Sequence, residues 1–184
     1  MYALRKSKHA KTALAHIGIP ILIIAYIILH SPELHTTLLL RHSLLIAFGY
    51  VAAVSDIKSK TISNSLILLM LITWAVFSAP SLLLDPHACL PILIDSALGF
   101  FVIGAISLIV YYISRKGLGG GDVKFLSAAA LYLGLNASLA STLIGTLLAA
   151  LTALMLILMK KINRKDSIPL APFLYIGILF VLFI

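Results

Sequence analysis

Of the six acidic residues in this sequence, two stand where a carboxylate can do chemistry. Glu33 and Asp85 fall in short polar connectors, and Asp95 sits one turn into an apolar run. Asp166 lies within the basic stretch 160–166, where a solvated charge is the plain reading. Asp56 closes one long apolar run and Asp122 opens another. Either one alone is as readily a helix cap or an interfacial charge as a functional group. As a pair brought together they gain a chemistry that neither has singly. Two carboxyls at hydrogen-bonding distance cannot both ionise easily, so they share a proton. One then serves as general base on water and the other as general acid toward a peptide carbonyl. Such a dyad needs no metal, nucleotide or other cofactor.

Gly117, Gly119, Gly120 and Gly121 crowd into the residues before Asp122. A glycine-rich loop at a helix start can cradle phosphate, but that design places Lys and then Ser or Thr after the last glycine. Here an Asp follows, and it repels phosphate. The expectation is therefore that these glycines take positive φ and let an extended substrate run close to Asp122. Other reactive residues are scattered. His9, His16, His30, His35, His42 and His87 lack ligand spacing, and the single cysteine, Cys89, excludes an internal disulfide or a multi-cysteine zinc site. No metal site is expected.

The elements that must position the pair belong in a bilayer. The chain is 61% hydrophobic and 11% charged, with a mean hydropathy of +1.12, far from the balance of a soluble domain. Its 184 residues divide into apolar runs at about 12–30, 37–56, 62–79, 92–113, 122–135, 137–159 and 169–184, each roughly 14 to 23 residues long. Runs of that length are helices, since barrel strands are near 10 residues with polar alternation. The expected fold class is all-α: a polytopic membrane protein of about seven spans, with a turn-like outer loop at 80–91. The basic segment before residue 12 is followed by no small-residue cleavage site, so the first run reads as a retained helix.

The net charge of +8, from 14 Lys and Arg against six acids, is a topology signal rather than a nucleic-acid surface, because the bases sit between apolar runs. With the N-terminus cytoplasmic, Arg5, Lys6, Lys8, Lys11, Lys58, Lys60, Arg115, Lys116, Lys124, Lys160, Lys161, Arg164 and Lys165 all fall on the inner side. Arg41 alone falls near the outer face, with His42, where its long side chain is expected to snorkel to the interface. Asp56 and Asp122 are then both at the cytoplasmic boundary. Gly99, Gly104, Ser127 and 128–130 read as helix-packing positions, and Trp74 as a lipid or packing contact.

Gly119-Gly120-Gly121-Asp122-Val123-Lys124 resembles the GxGD signature of the prepilin peptidases, in which the Asp is catalytic and a Lys commonly follows. Asp56-Ile57-Lys58-Ser59-Lys60-Thr61-Ile62-Ser63-Asn64 is similar to that family's other catalytic block, with Ser63 where Pro is usual. Ile168-Pro169-Leu170-Ala171-Pro172-Phe173-Leu174 resembles the start of its last helix, where Gly is more usual at 171. The likeness spans about residues 38–177 and carries the three blocks in the family's order.

The resemblance implies an aspartic-type endopeptidase that cuts the basic leader from type IV pilin-like precursors at the cytoplasmic face of the inner membrane. It implies Asp56 and Asp122 as the catalytic pair, and Gly119, Gly120, Gly121, Lys124 and Asn64 as the loop and substrate-binding positions. Larger members carry an extra cysteine-bearing cytoplasmic domain tied to N-methylation; this chain resembles the short, peptidase-only form. Residues 1–35 then form a basic N-terminus and an additional helix, and 36–184 a six-helix peptidase domain, with pilin-like precursors and membrane lipids as partners. Signal-peptide-peptidase and presenilin relatives share GxGD but pair it with a Tyr-Asp block, which Ser55-Asp56 does not match. Two other classes compete: an ion- or proton-coupled transporter, which calls for acids near mid-membrane and repeated halves, and a non-enzymatic pilus-assembly subunit.

Overall fold

The computed structural model describes Pro20, Ile21, Ala25 and residues 36–183 except 115, 116, 164 and 165. The expected additional helix at 12–30 therefore lies, but for three residues, outside the described residues, as do the bases preceding it. The described part is all-α, with six helices: α1 (Thr36–Ser59), α2 (Asn64–Leu84), α3 (Pro86–Ile113), α4 (Gly120–Leu133), α5 (Leu135–Leu158) and α6 (Ala171–Phe183). Three stretches, Leu38–Ser59, Pro86–Ile113 and Leu135–Leu158, are long and apolar enough to cross a bilayer, and Asn64–Pro80 and Ala171–Phe183 are shorter apolar helices. The protein is a polytopic membrane protein.

The helix contacts close a ring in the order α1, α2, α3, α5, α6 and back to α1, and α4 stands inside it, packed on α1, α2, α3 and α5. That placement explains the composition of α4. Nine of its residues are buried, from Val123 through Phe125 to Tyr132, and most are small or aromatic rather than long aliphatic. Neighbours approach it through small residues. A β-carbon on Gly99 of α3 would stand 2.9 Å from the Gly134 carbonyl carbon, and one on Gly104 would stand 2.9 Å from Ser127 Oγ. The outward faces of the ring carry the exposed apolar side chains, among them Leu68, Val76, Phe101, Ile109, Leu143 and Phe180.

Two expectations are corrected at the end of the molecule remote from Asp56. Residues 80–91 are not a loop: α2 continues to Leu84 and α3 starts at Pro86, with only Asp85 between them. Asp85 caps α3 by accepting the Ala88 N–H at 3.1 Å, and Pro86 occupies the first helical position, where its fixed φ and missing N–H cost nothing. Pro86 is a helix starter, and Pro80 and Pro91 lie within α2 and α3. Cys89 is consequently buried in α3.

Arg41 does not snorkel. It is 7% exposed, and its Nη2 donates to Ser96 Oγ at 2.7 Å and to the Leu131 carbonyl at 2.6 Å. Trp74 Nε1 donates to that same carbonyl at 2.8 Å. Leu131 lies in the last turn of α4, where carbonyls have no partner within the helix and the helix dipole is negative, so a cation and an indole satisfy it. The neighbouring N-terminus of α5 is served by an acid: Asp95 Oδ1 accepts the Leu135 N–H at 3.2 Å. Gly134 joins the two helices with φ 78° and ψ −178°, a conformation open essentially to glycine.

Candidate active site

Asp56 stands in the last turn of α1 and is 4% exposed. Its Oδ2 accepts the backbone N–H of Ala171 at 2.9 Å. Ala171 is the first residue of α6, so this carboxylate satisfies one of the N–H groups that every helix start leaves without an internal partner. Asp122 lies in the first turn of α4, whose N-cap, Gly119, offers no side chain. Asp122 Oδ1 is buried with no hydrogen-bond partner among the described residues.

Both carboxylates line one cavity of about 200 Å³. Its other walls are Lys60, Thr61, Ile62, Asn64, Gly119, Gly120 and Gly121. The two sequence blocks, far apart along the chain, thus meet because α1 and α4 pack together, with the last turn of α1 and the first turn of α4 at one cavity. Lys58, Lys60, Lys124, Lys160 and Lys161 all lie on helix ends or connectors at this end of the bundle, opposite Arg41.

The glycines act here by the absence of a side chain, not by backbone conformation. Gly134 is the only glycine with positive φ among the described residues, and Gly119 is extended at φ −69°, ψ 140°. A β-carbon on residue 119 would stand 2.6 Å from Asp122 Oδ2, and one on residue 121 would stand 3.3 Å from Ile62 Cβ. On Gly120 it would meet nothing within 4 Å, so that residue faces open space. The expected close approach of a chain to Asp122 is compatible with this geometry; the expected positive φ is not found.

The residues singled out in sequence are largely gathered together. Asp56, Asn64, Gly119, Gly120, Gly121 and Asp122 share the cavity. Lys124 stands behind it, exposed, its Nζ donating to Asn64 Oδ1 at 2.9 Å, so it braces a cavity residue rather than lining the cavity. The type IV leader peptidase family matches residues 43–154. The chain belongs to the type IV leader peptidase family. No curated protein and no solved structure matches it.

The family region holds both aspartates, Asn64 and the glycine run, and the chain is a membrane peptidase of the leader peptidase type. Ala171, outside that region, completes the surroundings of Asp56 through its main chain. Sequence reading missed this partner because a backbone N–H leaves no mark on residue type. The one available signal was the proline-bracketed block at 168–174, which sets where α6 starts. Thr61 and Ile62 were also missed as cavity residues, and Lys60 was read as a charge for topology or leader placement.

Proposed function

We propose that this leader peptidase family member is an aspartic-type endopeptidase, with Asp56 and Asp122 as a catalytic dyad. It removes the basic leader of type IV pilin-like precursors at the cytoplasmic face of the inner membrane. The observation that carries this reading is the single cavity lined by both carboxylates and by the side-chain-free wall Gly119–Gly121. An extended peptide laid along that wall brings a carbonyl between the two acids, and nothing larger than hydrogen projects from residue 120 to prevent it.

The pair holds one proton between its facing carboxyls. The ionised member takes a proton from water as the water oxygen bonds to the peptide carbon. The protonated member gives its proton to the carbonyl oxygen, leaving a neutral tetrahedral gem-diol. Collapse breaks the C–N bond: one diol proton returns to the pair, and the leaving nitrogen takes a proton from the other carboxyl, restoring the starting state. The Ala171 N–H occupies Asp56 Oδ2, and in this mechanism Oδ1 is the oxygen that meets water. The lysines at this end support the cytoplasmic placement.

The test is cleavage of precursor by purified variants in detergent at matched concentration. Asp56→Asn and Asp122→Asn each keep side-chain size and remove a titrating carboxyl. Each is expected to lower turnover by at least about a thousandfold, and the double variant to be no worse, because members of one catalytic unit are strongly non-additive. Asp166→Asn and Asp95→Asn are expected to retain most activity. Substantial turnover by either dyad variant would remove the mechanism.

A further inference from the structure

At residue 60 the backbone and the side chain make opposite demands. Lys60 ends α1: its N–H donates to the Asp56 carbonyl at 2.8 Å, and its φ is 53°. A left-handed residue directly after a helix is the position where glycine is preferred, because a β-carbon is strained there. The chain nevertheless carries lysine. Its Nζ donates to the Ser167 carbonyl at 3.0 Å and lies 3.1 Å from Ser167 Oγ. Ser167 belongs to the connector that enters α6 at Ala171, the residue whose N–H holds Asp56. The segment bearing Lys60 is itself tied back to α1, since Ser55 Oγ donates to the Thr61 carbonyl at 2.9 Å and Ser59 Oγ does so at 3.3 Å.

The same chain supplies a comparison. Lys160 follows α5 with φ 55°, a matching left-handed lysine. Its ammonium is exposed and donates to no acceptor among the described residues. Lys60 therefore differs from Lys160 not in backbone but in what its side chain holds.

We propose that Lys60 is a positioning residue for peptide cleavage: its ammonium clamps the connector before α6 to the end of α1, keeping the Ala171 N–H on Asp56. The clamp rests on the assignment of Asp56 and Asp122 as the dyad. It joins the same two segments as the Asp56–Ala171 bond, one by a charged side chain at the cavity wall and one by main chain at the buried carboxylate.

The experiment uses the full chain in detergent and a synthetic precursor peptide with a basic leader and an apolar segment. It compares wild type, Lys60→Gly, Lys60→Arg, Lys160→Gly and Asp56→Asn for kcat, KM and amide hydrogen exchange across residues 166–174. Lys60→Gly removes the ammonium while relieving the backbone, so its melting temperature is expected to hold or rise. Its kcat should fall roughly tenfold, as expected of a misplaced reacting group, with KM little changed and exchange in the connector accelerated. Lys60→Arg should restore both readouts, and Lys160→Gly should alter neither. Wild-type kcat and exchange in Lys60→Gly would overturn the clamp, as would a rise in KM alone with exchange unaltered, which marks a substrate contact instead. Turnover surviving in Asp56→Asn would remove the dyad, while the exchange difference in Lys60→Gly would still decide the clamp.

Discussion

At Gly119 the missing β-carbon is what leaves room for the Asp122 carboxylate, and this gives the glycine run an internal ranking. Gly119→Ala drives a methyl to within 2.6 Å of Asp122 Oδ2, so the acid must turn away from the cavity. Cleavage is expected to fall by roughly 10- to 100-fold, the cost of displacing a reacting group by about an ångström. Gly121→Ala presses on Ile62, whose backbone and Cβ lie 3.3 to 3.4 Å from the new carbon, and should give a smaller loss. Gly120→Ala meets nothing, so its melting temperature should match or exceed wild type, alanine being the better helix former. Any loss of cleavage in Gly120→Ala then reports contact with the peptide. A melting temperature lowered as much by Gly120→Ala as by Gly119→Ala would contradict this ranking. That the two aspartates and the glycine run come together in one cavity was legible in sequence, because carboxylates at run ends and a glycine cluster stand out by residue type. The reason for the glycines was misread, because positive φ and close approach both call for glycine and only coordinates separate them.

Among the elements, the junction of α4 and α5 depends on partners that lie on three other helices. Arg41 and Trp74 converge on the Leu131 carbonyl of α4, while Asp95 serves the first N–H of α5. Arg41→Met keeps the apolar stem and removes two interhelical hydrogen bonds. We expect a destabilisation of about 2 kcal/mol, the upper range for such bonds within a membrane. It should appear as a lower melting temperature in detergent, with cleavage retained at permissive temperature because Arg41 is at the far end from the cavity. A variant as stable as wild type would show the bonds to be energetically idle. Helix number and type were readable from apolar run length, but the role of Arg41 was not. A lone arginine near an outer helix end fits an interfacial anchor equally well until the carbonyl it meets, 90 residues away, is known. The expected loop at 80–91 failed for a related reason: Pro86 sits in a first helical turn and Pro80 and Pro91 lie within helices, where residue type alone does not place them.

For the whole molecule, orientation decides whether the cavity opens to the cytoplasm, as the proposed function requires. Because Cys89 is buried in α3, it is a poor reporter, and a Cys89→Ser background is needed. In that background His87→Cys, exposed at the Arg41 end, should react with a membrane-impermeant thiol reagent on intact cells. Lys161→Cys, exposed at the cavity end, should react only after permeabilisation. The opposite pattern would invert the topology and take the cytoplasmic cleavage site with it.

The bond between Asp56 and the Ala171 N–H spans 115 positions of chain, and that separation has a meaning for biogenesis. Synthesis proceeds from the N-terminus at a finite pace, and early segments settle before late ones exist. On a ribosome that has just completed α4, both aspartates and the glycine wall are already made, but the helix that holds Asp56 is not. The nascent chain thus passes through a stage in which every acid of the proposed dyad is present and the site is still unassembled. The surroundings of the proposed dyad are therefore completed only when α6 is in place.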